Sequence, residues 1–291
     1  MLWWLAGLAG LSLIGWGVLS TYRTLHPLPQ FLMASPVTPA PRTVTFIADD
    51  RQKFEGWVLE APAARGVVIT CHGYKANRLQ LVPIAEGLCR RGYTMMLFDL
   101  RGHGSRRGRC TFGTRDVKDL GVIMQWCRAN PALAALPVGL LGLSMGGAVA
   151  CQAAAQFPDI KAVVVDSAYA RLFPVLAQSI RKTYHLPSVF ARVTWAGLAL
   201  ALGRGLSHAD PVVVAARARQ PLLIIHGMED QSVSPEQARQ LYAAWQGPKE
   251  QWLHSQGGHI GIGFQHPDEY ANRVAEFFHR WLQPAVLSSR S

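Results

Sequence analysis

One serine stands between glycines in Gly142-Leu143-Ser144-Met145-Gly146, directly after an apolar run and directly before an alanine-rich one. A strand that gives way to a helix within about one residue forces its central residue into a strained backbone region. The flanking glycines and Gly147 remove the Cβ atoms that would collide in so tight a turn. Ser144 is thereby lifted above the sheet, with its hydroxyl at the start of a helix whose free amides favour developing negative charge. That placement suits a nucleophile. A hydroxyl attacks only if a base takes its proton, and the base must be oriented by an acid.

Chain order narrows the partners. "HGMEDQSVSP" (226–235) follows a late apolar run and carries Asp230; "SQGGHIGI" (255–262) follows the last one and carries His259. The glycines beside His259 cost stability unless backbone passes close to another group there. Glu229 also bears a carboxylate, and Asp166 ends the run after the Ser144 helix, so the acid has rivals. His72, Asp99, Arg101 and His103 read as loop scaffolding. Arg106, Arg107 and Arg109 read either as a solvated loop or as cations that attract an anionic substrate.

These residues need a frame to bring them together. Short apolar, β-branched runs at 43–48, 54–60, 66–73, 93–100, 137–144, 161–168, 221–227 and 249–254 predict eight strands. Amphipathic stretches at 78–91, 114–129, 145–157, 234–246 and 267–283 predict helices between them. Strands separated by helices, each nearly continuous in apolar residues, imply a mostly parallel α/β sheet buried on both faces. The first two, with no helix between, predict an antiparallel hairpin at one edge. Ligands in such sheets bind beyond the carboxyl ends of the strands, where "CHGYKAN" (71–77), "FDLRGHGS" (98–105), "GLSMGG" (142–147) and the Asp230 and His259 segments all fall.

The order Ser, Asp, His, with a nucleophile elbow and an early "HGY" at 72–74, resembles the α/β-hydrolase family over roughly residues 43–283. The resemblance implies that Ser144 is the nucleophile, Asp230 the orienting acid and His259 the general base. It also implies that the backbone N–H groups of Tyr74 and Met145 form the oxyanion hole. Within the family, the membrane-anchored BEM46-like and ABHD13-like serine hydrolases are the nearest in kind. The implied activity is hydrolysis of a carboxylic ester-type acyl bond of a small-molecule or lipid substrate through an acyl-enzyme, with no metal or organic cofactor. A thioesterase or serine peptidase uses the same groups, and a non-catalytic membrane-bound binding protein could retain the same fold.

The rest of the chain bounds these readings. Its 291 residues, 49% apolar and 16% charged, suit one large folded domain, read as 43–285 with a helical cap at about 171–211. The net charge of +11 is spread out, and without zinc-finger spacing or an aromatic RNA-reading motif it does not indicate a nucleic-acid partner. Cys71, Cys89, Cys110, Cys127 and Cys151 contain no CxxC pair and predict buried free thiols. From Leu2 to Leu19 there is no charge, and a helix of that length is about 27 Å long. Residues 1–22 therefore predict a single-pass membrane anchor, 23–42 a proline-rich spacer and 286–291 a tail. Arg23, Arg42, Arg51 and Lys53 follow the segment, which leans the catalytic domain to the cytoplasmic side.

Overall fold

The structure is a computed structural model that describes residues 2–29, 36–203 and 205–283, with side chains from Gly10 onward. The expected tail at 286–291 and residues 30–35 of the expected spacer lie outside the described residues.

In chain order the elements are α1 (Leu2–Leu25), β1 (Arg42–Ile47), β2 (Lys53–Leu59), β3 (Gly66–Cys71), α2 (Val82–Cys89), β4 (Tyr93–Phe98), α3 (Asp116–Ala129), β5 (Val138–Leu143), α4 (Met145–Gln156) and β6 (Ile160–Asp166). They continue with α5 (Leu172–Tyr184), α6 (Ser188–Leu202), α7 (Gly205–His208), α8 (Pro211–Ala215), β7 (Leu222–Gly227), α9 (Pro235–Ala244), β8 (Lys249–His254), α10 (Ile262–Gln265) and α11 (Pro267–Trp281). The eight strands form one sheet in the order β1-β2-β4-β3-β5-β6-β7-β8. β1 and β2 make the expected antiparallel edge hairpin, β2 joins β4 antiparallel, and every later neighbour is parallel.

Alternation along each strand divides the core between the two faces. On β3, Val67, Ile69 and Cys71 pack into the larger cluster, with α3 and α4, while Val68 packs with α2 and α11 on the opposite face. All five cysteines are buried and free. The helix expected over 78–91 divides in two. Arg78–Leu81 forms a 3-10 turn capped by the Asn77 side chain, which accepts from the Leu79 N–H, and α2 begins only at Val82. Pro83 accounts for the break, because it fits the first turn of a helix and not its interior.

The amino-terminal segment departs from the expected free-standing anchor. Among the described residues no helix is long and apolar enough to cross a membrane. From Trp16 on, α1 lies against α6, on the protein itself. The Trp16 indole N–H reaches Phe190 O (3.3 Å) and Thr194 Oγ1 (3.2 Å), and its ring meets Tyr184 and Phe190 edge to face. The hydroxyls of Ser20 and Thr194 bond at 2.7 Å. Leu25 is buried, and its carbonyl accepts from the Cys110 N–H at 2.7 Å. The Trp16 indole thus finds its polar partners inside the fold.

Gly197 permits this approach, since a Cβ there would lie 2.1 Å from Thr21 Oγ1. Gly197→Val should therefore lift α1 from α6 at a cost of about 1–3 kcal/mol. The expected readout is trypsin cleavage after Arg23 under conditions in which the wild type resists; equal resistance in both would show that the helix contact does not depend on this glycine.

Candidate active site

The turn between β5 and α4 takes the predicted form. Ser144 has φ 51° and ψ −115°, a conformation rare for any residue with a side chain, and its N–H donates to Asp166 O at 2.8 Å. A Cβ on Gly146 would stand 2.0 Å from the Cys71 carbonyl oxygen, so only glycine lets α4 start this close to the end of β3.

Three residues distant in sequence meet above this turn. His259 Nε2 lies 2.9 Å from Ser144 Oγ, and His259 Nδ1 lies 2.8 Å from Asp230 Oδ2. A carboxylate oxygen can only accept, so Nδ1 carries the proton and Nε2 is left free to take one from the serine hydroxyl. The other oxygen of Asp230 accepts the N–H groups of Ser232 (2.8 Å) and Val233 (2.9 Å). Burial by itself would raise the Asp230 pKa, but the hydrogen bond and charge of His259 and these two amides hold it below the ordinary carboxylate range. It stays an anion at neutral pH. Glu229, its rival by sequence, is exposed.

Asp166, the other rival, braces the histidine loop. Its Oδ1 accepts from Ser167 Oγ at 2.9 Å, and Ser167 Oγ in turn accepts the Ile260 N–H at 2.9 Å. Ser167 (φ 54°) and Ile260 (φ 52°) both hold left-handed backbone, so this bond fixes two strained positions next to His259.

Tyr74 and Met145, the predicted oxyanion donors, line the same cavity as Ser144. No hydrogen bond from the Tyr74 or Met145 N–H occurs among the described residues, and Met145 opens α4. Behind them, His72 Nε2 accepts the Leu100 N–H (3.0 Å), so Nδ1 is the donor to Gly73 O (2.8 Å). Burial, aided by the nearby His103, pushes the His72 pKa down to about 4 and keeps the ring neutral. Asp99 accepts the N–H groups of Arg78 (2.8 Å) and Ser105 (2.9 Å), which ties the two neighbouring loops together. These residues are scaffold, as read from the sequence.

Arg106 is not at the site. Its side chain is buried, 2.8 Å from Asp119 and stacked 3.9 Å over the Phe54 ring, beside the Arg101–Asp119 pair. Arg107 and Arg109 are exposed and do not line the cavity above Ser144. Among the described residues, the cations that line it are Arg23 on α1 and Lys75. Sequence reasoning missed them, together with Gln80, whose Oε1 accepts the Gly73 N–H at 2.7 Å, and His226, whose Nε2 bonds Val233 O at 2.9 Å beneath Asp230. Gln80 and His226 lie beside "HGY" and within "HGMED", yet neither residue type singles out that role.

The cavity itself encloses about 360 Å³, with Ser144 in its lining. Its walls come from α1, α5 and α6, so the helices between β6 and β7 and the amino-terminal helix together roof the serine.

The sequence profile of a family described as "Serine aminopeptidase, S33" matches residues 62–196, and that of "Acetyl xylan esterase (AXE1)" matches residues 136–277. The second stretch contains Ser144, Asp230 and His259. Among curated proteins, the chain is 28% identical to the uncharacterized protein Rv2307c of Mycobacterium tuberculosis, over 87% of this chain and 82% of that one. It is 26% identical to the uncharacterized protein YqkD of Bacillus subtilis, over 72% and 70%. Among solved structures, the Pyrococcus furiosus esterase Pf2001 superposes with a TM-score of 0.74 at 24% identity, covering 90% of this chain and 99% of that one. A Pyrococcus horikoshii acylaminoacyl peptidase gives 0.65 at 20% identity, covering 84% of this chain and 42% of that one. The fold is the α/β-hydrolase fold, and the profile matches support a hydrolase.

Asp166 supplies a titration that can be measured. Burial pushes its pKa up to about 7, while the unfolded chain has an ordinary carboxyl, so the folded state holds this proton more tightly. The resulting stability is fully present below the unfolded pKa and is lost as pH rises towards and through about 7. Asp166→Asn removes the titration. Its Tm relative to wild type should rise by several degrees between pH 5 and pH 8; a difference that does not vary with pH would contradict the assignment.

Proposed function

We propose that this protein is a serine hydrolase that cleaves carboxylic esters through a Ser144–His259–Asp230 triad. The observation that carries the reading is the unbroken run of hydrogen bonds, 2.9 Å from hydroxyl to imidazole and 2.8 Å from imidazole to carboxylate. Ser144 Oγ attacks the ester carbonyl as its proton passes to His259 Nε2, and Asp230 stabilises the imidazolium that forms. The oxyanion is held by the N–H groups of Tyr74 and Met145 at the positive end of α4. Collapse breaks the bond to the alcohol, which leaves with the proton from Nε2. Water then gives a proton to the same nitrogen and attacks the acyl-enzyme, releasing the acid and restoring the serine.

The esterase profile over residues 136–277 supports an ester as substrate. The serine aminopeptidase profile favours a second reading, cleavage of an amide by the same groups. Turnover of a p-nitrophenyl ester more than a hundredfold above that of the matching p-nitroanilide is the outcome expected of an esterase.

We also keep a membrane role for the amino terminus, in altered form. Leu11, Ile14 and Val18 are largely exposed on α1, which supports insertion of this apolar face at the membrane surface.

The triad is tested directly by a fluorophosphonate probe. Wild type is expected to label, and Ser144→Ala to lose labelling and at least about 10³-fold in kcat. Asp230→Asn should cost about 10⁴ in kcat with the fold intact, since it favours the wrong histidine tautomer. A folded wild type that neither labels nor turns over esters would leave a binding protein as the better account.

A further inference from the structure

The amino-terminal helix, read from sequence as an anchor alone, contributes Trp16, Leu19, Ser20 and Thr24 to the lining of the cavity that contains Ser144. We infer that α1 is one wall of the pocket that receives the acyl chain and makes the enzyme selective for esters of medium-length straight chains over acetate. This inference rests on the serine hydrolase reading above.

The opposite wall is α5, with Leu172, Val175, Leu176 and Ile180, and Leu198 of α6 closes the space between them. Among the described residues no carboxylate and no amide side chain lines the cavity, and its charged residues are Arg23 and Lys75. The hydroxyls of Ser20, Thr24 and Tyr74 in its lining already bond to protein groups, so a sugar or peptide would leave many of its polar groups unpaired, at a cost for each. A hydrocarbon chain asks only for apolar surface, and every methylene buried adds to binding. The volume of about 360 Å³ lies in the range of small-molecule sites and greatly exceeds the need of an acetyl group.

The wall is held in register with the chemistry. The Tyr74 hydroxyl donates to Thr24 O at 3.0 Å, so the residue proposed to supply an oxyanion N–H also grips α1. Cys110 N–H grips Leu25 O on the same turn of the helix. α1 therefore cannot shift without disturbing the loop beside Ser144, and the chain-length limit it imposes is a fixed one.

The test compares kcat/KM for p-nitrophenyl octanoate and p-nitrophenyl acetate, both below the critical micelle concentration, in the full chain. Wild type is expected to favour octanoate at least tenfold. Leu19→Trp, at a half-exposed position on the pocket side of α1, should cut octanoate turnover at least tenfold and acetate turnover less than threefold. Leu176→Trp on the facing wall should do the same. Leu11→Trp, on the same helix but away from the cavity, should change neither. A wild type that labels with fluorophosphonate but prefers acetate overturns the inference and leaves the serine hydrolase reading standing. So do Trp substitutions at 19 and 176 that lower both esters equally or neither. A wild type with no labelling and no ester turnover removes both together.

Discussion

The structure depends on a close approach of backbone to backbone at the end of β5. Ser144 can stand above the sheet in a left-handed conformation because α4 begins almost in contact with the carbonyl of Cys71, where no side chain fits at position 146. Such a conformation costs on the order of 1–3 kcal/mol, and it persists only where the surroundings leave the chain no alternative. Here the surroundings are β5 paired on both sides and the Ser144 N–H bonded to the end of β6. The strain that exposes the hydroxyl is thus offset by the packing of the whole central sheet.

The same economy governs the loops around it. Asp99 and Asp119 take backbone amides and guanidinium groups from neighbouring loops, and so convert flexible connections into a rigid rim. Arg106 belongs to that rim. A cluster of arginines in a glycine-rich loop looks like a substrate clamp when charge alone is counted. The burial of Arg106 beside Asp119 and Phe54 makes it part of a structural ion pair that is strongly destabilising to break, away from the cavity above Ser144. Recognition falls instead to a cavity whose lining is mainly apolar and whose cations come from α1 and the loop after β3.

Much of this was legible in the residues. Strand spacing, glycine placement and the order of Ser144, Asp230 and His259 are local or ordinal signals, and they predict the eight-stranded sheet with its edge hairpin. Helix boundaries were less so, because Pro83 cuts a continuous amphipathic pattern that periodicity alone would extend. Asp230 is set apart from Asp166 and Glu229 by chain order and family resemblance, not by local pattern. All three follow apolar runs, and what separates them in space is orientation: one exposed, one turned to a serine hydroxyl, and one aimed at an imidazole.

By itself, then, the sequence determined the layered α/β architecture and the kind of chemistry its strand ends can carry, since these follow from periodicity and from side-chain types at turns. The packing of α1 from Trp16 onward is set by tertiary contacts. A largely apolar helix is driven out of water with equal force by lipid and by a protein surface. What settles the matter is directional: an indole N–H satisfied by Phe190 and Thr194, and a glycine at 197 that lets the two helices touch. Those contacts join residues nearly two hundred positions apart, a distance over which composition carries no information about which surface meets which.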